Sequence, residues 1–310
     1  MKNAQQPGSA VLTAEIGVIG GTGFYQIPEL TEVQRTRLET PFGAPSSAIS
    51  IGTLHDRRVA FISRHDEDHH LLPSELPARA NIWAFKSLGV RQILTVSAVG
   101  SLRKEMAPLH AVIPDQLIDR TRGRHATFFG NGIVGHVAFA DPFDPTLSEA
   151  LATAASEVGV TTHRGGTLVV IDGPAFSTRA ESKLYRSWDA AIIGMTALPE
   201  AKLAREAELC YGSLCFVTDY DTWHETEADV SSELILQHLR QNADNARQTI
   251  SGAVASLGPP PNDCECHSAL AGAIITRRDL VPVETQRKLQ LLLEPHWGPS
   301  DSEGARDRYA

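Results

Sequence analysis

Apolar residues fall along this chain in short runs that each end in glycine, hydroxyl or charged positions, and the stretches between the runs carry helical spacing. The runs predict strands over 16–19, 59–63, 92–97, 168–171, 191–193 and 213–218. Helical patterns are predicted over 77–88, 145–158, 179–188, 198–208 and 231–257. This alternation predicts an α/β fold: a single domain with a mixed, largely parallel central sheet flanked by helices. Three consecutive prolines, Pro259 to Pro261, cannot continue the last of these helices. The expected organisation is therefore a flexible N-terminus over 1–14, the main domain over 15–257, an extension with one helix around 283–293 over 258–297, and a disordered polar tail over 298–310.

In an open α/β sheet, ligands bind beyond the carboxyl ends of the strands, so the residues just after each apolar run are the ones to inspect. The six predicted runs are followed in turn by Gly20-Gly21-Thr22-Gly23, Arg64-His65, Ser97 to Ser101, Asp172 to Thr178, Met195-Thr196 and Asp219-Tyr220-Asp221. Singly, each has an ordinary explanation as a turn, a cap or a solvated loop. Their joint placement favours a site. The first turn is not a dinucleotide fingerprint, because the third glycine position is Gln26, and the glycine-lysine-serine/threonine ending of a P-loop is missing. Bare backbone amides with one hydroxyl nevertheless suit an oxyanion, and Arg64 and Thr196 add a guanidinium fork and a second hydroxyl. Free phosphate or a phosphoryl group is the indicated guest.

Asp219 and Asp221 are one residue apart at a strand end and so face the same side. A metal is not expected there, since "RHDEDHH" lacks the spacing of a known metal box. A purine is the better partner: one carboxyl accepts from an exocyclic amine and the other, protonated, donates to a ring nitrogen. Such a proton donor serves glycosidic bond cleavage, which needs a stabilised leaving group.

Charge removes other classes. With 28 Lys and Arg against 37 Asp and Glu the chain carries a net charge of −9, spread evenly, which is no footprint for nucleic acid or an anionic membrane. No run reaches the ~18 apolar residues of a membrane span, and the first residues hold no signal-peptide core, so a cytoplasmic protein is expected. Cys210, Cys215, Cys264 and Cys266 are too few for a disulfide framework and read as buried small hydrophobes or surface thiols.

With these residues in place, the chain resembles the trimeric purine nucleoside phosphorylases, and most closely their 5'-methylthioadenosine phosphorylase branch. The carriers run in order over about 15–297: "IGVIGGTGFY", "LETPFGAPS", "LLPSELPARANIWAFKSLGV", "VSAVGSLRKEMAPLHAVIPDQLIDRT", "TFFGNGIVGHVAFADPF", "GPAFSTRAESKLYRSW", "IIGMTALPEAKLAREAELCY" and "VTDYDTWHE". The resemblance implies phosphorolysis of 5'-methylthioadenosine to adenine and 5-methylthioribose 1-phosphate, with inorganic phosphate as co-substrate and no cofactor. It implies that Thr22, Arg64, His65, the Ala98 amide and Thr196 hold phosphate, that Met195 packs under the ribose, and that Phe176 and Ser177 line the base pocket. Asp219 is implied as the proton donor and Asp221 as the acceptor for the 6-amino group.

Val230, Ile235 and Leu236 read first as helix-core residues, and the resemblance alone turns some of them towards the 5' substituent. His136, which otherwise reads as a satisfied core histidine, matches one given to a neighbouring subunit's site, which implies a homotrimer or a hexamer. The alternatives are a phosphorylase preferring 6-oxopurines such as 5'-methylthioinosine, one for another 5'-modified adenosine, a hydrolase using water, and a purine-binding protein without catalysis. Three departures stand out. Asp66, with Glu67 and Asp68 after it, replaces the family's glycine, and carboxylates beside a phosphate pocket oppose a dianion unless they point outward. Ala175 replaces a longer polar side chain, and Asp189 stands where a glycine often ends the helix. Cys264-Glu265-Cys266 is similar to a Cys-x-Cys element of some members and is read as idle thiols.

Overall fold

The computed structural model describes residues 12–224, 232–261 and 263–297. Its strands are β1 (Ile16–Gly20), β2 (Thr31–Thr36), β3 (Ile49–Leu54), β4 (Arg57–Ser63), β5 (Gln92–Ser101), β6 (Ala111–Ile113), β7 (Gln116–Asp119), β8 (Thr162–Arg164), β9 (Thr167–Val170), β10 (Ala190–Gly194) and β11 (Cys210–Tyr220). The helices are α1 (Ala78–Ser87), α2 (Pro145–Glu157), α3 (Arg179–Ser187), α4 (Ala197–Glu206), α5 (Ser232–Ser256), α6 (Val283–Lys288) and α7 (Gln290–Trp297).

All strands join one mixed sheet in the order β2-β3-β4-β1-β5-β10-β9-β7, with β11 on β5, β6 on β11 and β8 on β6. Pairs β1/β4, β1/β5, β5/β11, β9/β10, β7/β9 and β6/β8 are parallel, whereas β2/β3, β3/β4, β5/β10 and β6/β11 are antiparallel. The central strands are apolar on both faces because both are covered by helices. Adjacent residues therefore feed opposite cores: Val18, Phe61 and Leu94 pack with Leu151 and Ile250 on one side. Ile19, Ile62 and Ile93 pack with Phe85 and Leu203 on the other. Each such burial contributes about 1.5–3 kcal/mol.

The predicted strands and helices are all present, and β4, β5 and β11 run longer than the apolar runs alone marked. The hydrophobic pattern did not mark β2, β3, β6, β7 and β8. β2 (TEVQRT) is an exposed polar edge, β3 is interrupted by Gly52, and β6, β7 and β8 are short. The single helix expected around 283–293 is two, α6 and α7. They meet at Leu289, which turns into the core with Leu292 and Leu293.

Candidate active site

The site is organised by what happens at the end of β5. There β10 pairs antiparallel, Ile193 opposite Gly100 and Ile192 opposite Ser101. The chain leaving β10 therefore runs back along β5, and Thr196 Oγ1 comes to 3.5 Å from Ser97 Oγ. On the other side β11 follows β5 in parallel until a bulge between Val217 and Asp219, after which Asp219 lies opposite Gly100. A bulge adds one residue and re-aims the side chains beyond it. A Cβ built on Gly100 would lie 3.3 Å from Asp219 Oδ1, 3.4 Å from Asp221 Cβ and 3.1 Å from Ile193. Glycine at this position lets both aspartates close over the strand.

One end of the site is built on Gly21, Thr22 and Arg64. A Cβ on Gly21 would sit 2.4 Å from the Val96 carbonyl oxygen, so only glycine brings this turn against β5. Arg64, after β4, is 1% exposed; Nε donates to Glu200 Oε1 at 2.6 Å, Nη2 to Glu200 Oε2 at 3.0 Å and Nη1 to Val96 O at 2.8 Å. Of its five N–H groups three are thus committed, leaving one on each terminal nitrogen. Burial opposes the charge, but Glu200 outweighs it and holds the guanidinium protonated. Tyr211 Oη also donates to Glu200, at 3.1 Å. His65 gives its Nδ1 proton to Leu71 O at 2.8 Å, which leaves Nε2 as an acceptor. Burial lowers this imidazole to about 4, so it is neutral at pH 7.

At the other end, Thr218 Oγ1 lies 2.6 Å from Asp219 Oδ2 and 3.2 Å from the Val99 carbonyl. The Asp221 amide donates to Ser101 O at 3.1 Å. Burial pushes the Asp221 carboxyl above the ordinary aspartate range, against the pull of the Ser182 hydroxyl, the Thr222 amide and the Ser177 hydroxyl. Its Oδ2 is buried and has no well-aligned hydrogen bond among the described residues. Thr222 Oγ1 donates to Ser177 O at 3.2 Å, and Trp223 Nε1 to Ser101 O at 2.8 Å. The Arg186 guanidinium lies 3.6 Å over the Trp223 ring. The loop carrying Phe176 and Ser177 ends in a capping box, Thr178 with Glu181, that starts α3.

The two ends open on one cavity of about 340 Å³, within the small-molecule range. Thr22, Arg64, His65, Ala98, Phe176, Ser177, Met195, Thr196, Asp219 and Asp221 all line it. His136 does not: it is exposed, with its amide on Ala273 O. Val230 lies outside the described residues, as do the side chains of Ile235 and Leu236.

Sequence reasoning missed His69, His70, Leu71, Leu72 and Pro73, which also line the cavity. It also missed two residues that hold it together. Glu200 sits inside a helix, where no strand-end rule looks. Arg124 donates from Nη1 to Met195 O and Leu198 O, both at 2.7 Å, and from Nη2 to Asp172 O at 2.8 Å and Ile171 O at 3.3 Å. It thereby ties the ends of β9 and β10 together.

The phosphorylase superfamily model matches residues 15–255, which span every strand of the sheet and both ends of this cavity. The chain belongs to that superfamily. It is 52% identical over 285 residues to the S-methyl-5'-thioadenosine phosphorylase of Thermosynechococcus vestitus, covering 91% of this chain and 99% of the relative. It is also 52% identical over 287 residues to that of Koribacter versatilis, covering 93% and 98%. Among solved structures, a methylthioadenosine phosphorylase from an antarctic soil metagenomic library superposes with a TM-score of 0.86 at 48% identity, over 91% of this chain and 99% of that one. The Schistosoma mansoni methylthioadenosine phosphorylase in complex with adenine superposes at 0.79 with 33% identity, over 86% and 100%.

Against the phosphorylase pattern, two of the departures fall on left-handed backbone. Asp66 has φ 63° and Asp189 has φ 60°, conformations for which glycine or aspartate is suited. The acidic run does not line the cavity. Asp66 accepts from the Glu67 amide at 2.8 Å and lies 3.6 Å from His70 Nδ1, while Glu67 pairs with Arg35. Asp189 pairs with Arg103 at 2.8 Å. Ala175 is exposed and outside the cavity wall.

Proposed function

We propose that this chain is a pentosyltransferase that cleaves 5'-methylthioadenosine with inorganic phosphate, giving adenine and 5-methylthioribose 1-phosphate. The observation that carries the reading is the convergence, in one cavity, of an anion cradle and a pair of strand-end aspartates. The named activity of the relatives at 52% identity supports it.

In this reading the Gly21-Thr22 turn, Arg64, His65, the Ala98 amide and Thr196 orient phosphate, and Met195 supports the ribose. A phosphate oxygen bonds to the anomeric carbon as the carbon–nitrogen bond to the purine breaks, and the electrons of that bond pass to the ring. Asp219 delivers a proton to the five-membered ring of the purine, so that adenine leaves neutral. Asp221 Oδ2, buried and without a well-aligned hydrogen bond among the described residues, takes a hydrogen bond from the 6-amino group. Phosphate is a co-substrate, and no cofactor or metal enters the reaction. The exposed His136 serves the site of a neighbouring subunit, in a homotrimer or a pair of them, in the cytoplasm.

Adenine release from 5'-methylthioadenosine, followed with and without phosphate and beside 5'-methylthioinosine, tests the reading. Strict phosphate dependence with adenine formed faster than hypoxanthine supports it, and release without phosphate overturns it in favour of hydrolysis. The Asp221→Asn variant is expected to shift the ratio of 6-amino to 6-oxo substrates by about tenfold or more, because an amide offers a donor to the 6-oxo group. An unchanged ratio removes Asp221 from base recognition.

A further inference from the structure

At the opposite end of β11 from Asp219, three of the four cysteines meet a buried carboxylate. Asp144, Cys210, Cys264 and Cys266 bring one ligand atom each to within 4.8 Å of one another. They come from three separate parts of the chain: the N-cap of α2, the first residue of β11, and the segment after the proline run. Asp144 is 5% exposed, and its Oδ1 accepts from the Leu147 amide at 2.9 Å to cap α2. Among the described residues, the hydrogen-bond partners of Oδ2 are sulfur: Cys266 Sγ at 3.7 Å and Cys264 Sγ at 3.8 Å. A thiol is a weak donor, so a buried carboxylate left to thiols is under-compensated. A cation between these atoms removes that imbalance.

Three of the six separations are close to what one requires. In a tetrahedral site with zinc–sulfur bonds of about 2.3 Å and zinc–oxygen bonds of about 2.1 Å, ligand atoms stand about 3.6–3.8 Å apart. Cys210 Sγ and Cys264 Sγ are 3.5 Å apart, and the two sulfur–Oδ2 separations above fall in or at the edge of that range. His267 completes the surroundings. Its Nδ1 accepts from Arg91 Nη2, which puts its remaining proton on Nε2, 3.5 Å from Cys210 Sγ and 3.2 Å from Arg91 O. That is the placement of a group that orients a ligand rather than of a ligand itself. Arg205 near Cys266, and Arg91 and Lys86 near His267, offset the negative charge of such a ligand set.

We infer that Asp144, Cys210, Cys264 and Cys266 form a tetrahedral site for a soft divalent metal, zinc by ligand class, that fastens the C-terminal extension to the sheet. Binding displaces the thiol protons to solvent and needs no oxidant. The extension carries Leu270, Leu289, Leu292 and Leu293 into the core, so the metal adds to fold stability rather than to chemistry at the cavity.

The test is a Co2+ titration of the full chain, kept reduced with a phosphine that does not bind metal. One cobalt per chain, with a sulfur-to-cobalt charge-transfer band and intense tetrahedral visible bands that Zn2+ abolishes at one equivalent, supports the site. Cys264→Ser is expected to weaken the charge-transfer band. Asp144→Asn keeps a helix-capping oxygen and is expected to weaken cobalt binding at least tenfold with the chain still folded. Absence of the band in fully reduced wild type, or a Cys210–Cys264 disulfide in the protein as isolated, overturns it. None of these readouts depends on which nucleoside the chain cleaves.

Discussion

Replacing Asp219 with asparagine lowers turnover of 5'-methylthioadenosine by about 10²–10⁴-fold, the range for a lost general acid, while nucleoside binding is largely kept. Asparagine has nearly the same volume and can still meet Thr218 Oγ1, which lies 2.6 Å from Asp219 Oδ2. What it lacks is a proton to give. The loss should therefore appear in kcat more than in KM, and it should shrink for nucleosides whose base leaves readily without protonation. Steady-state kinetics on a poor and a good leaving group check both. A variant with full activity removes Asp219 from proton delivery.

Replacing Glu200 with alanine is expected to lower stability by about 3–5 kcal/mol, because it strands a buried guanidinium. Arg64 is 1% exposed and Glu200 also 1%, so neither finds water as a substitute partner. The same change removes the acceptors that fix the plane of Arg64, so the phosphate KM should rise in whatever fraction stays folded. Urea denaturation measures the first effect and phosphate saturation kinetics the second. A stable variant with an unaltered phosphate KM places the ion pair outside the anion cradle. Glu200→Gln separates charge from shape, since it keeps one carbonyl acceptor for the Arg64 and Tyr211 donors.

Much of the cavity wall was legible in the sequence alone, because each apolar run is followed by residues that line it and the sheet rule says where those residues gather. Gly21, Arg64, Thr196 and Asp219, far apart along the chain, gather from β1, β4, β10 and β11 around one cavity. The unreadable part has a common cause: it consists of side chains whose partners lie far away in sequence. Arg64 and Glu200 are 136 positions apart, and Arg124 reaches 71 positions to Met195. Nothing in the local pattern distinguishes Glu200 or Arg124 from an ordinary surface charge. The direction of Asp66 was likewise invisible, since it depends on a left-handed residue and on Glu67 pairing with Arg35 from another strand.

The antiparallel seam between β10 and β5 gives the molecule a fault detector. β10 reads AAIIG and is buried on both faces, so a slip by one residue against β5 would leave burial almost unchanged. The same slip would carry Thr196 about 3.4 Å along Ser97 and turn it to the wrong face. Arg124, by gripping the carbonyls that follow β10 and β9, holds the ends of those two strands to each other, and the backbone bond from the Leu102 amide to Ala191 O ties β10 to the end of β5. A misaligned copy would look well packed to any probe of compactness and would be exposed as faulty only by its failure to hold an anion.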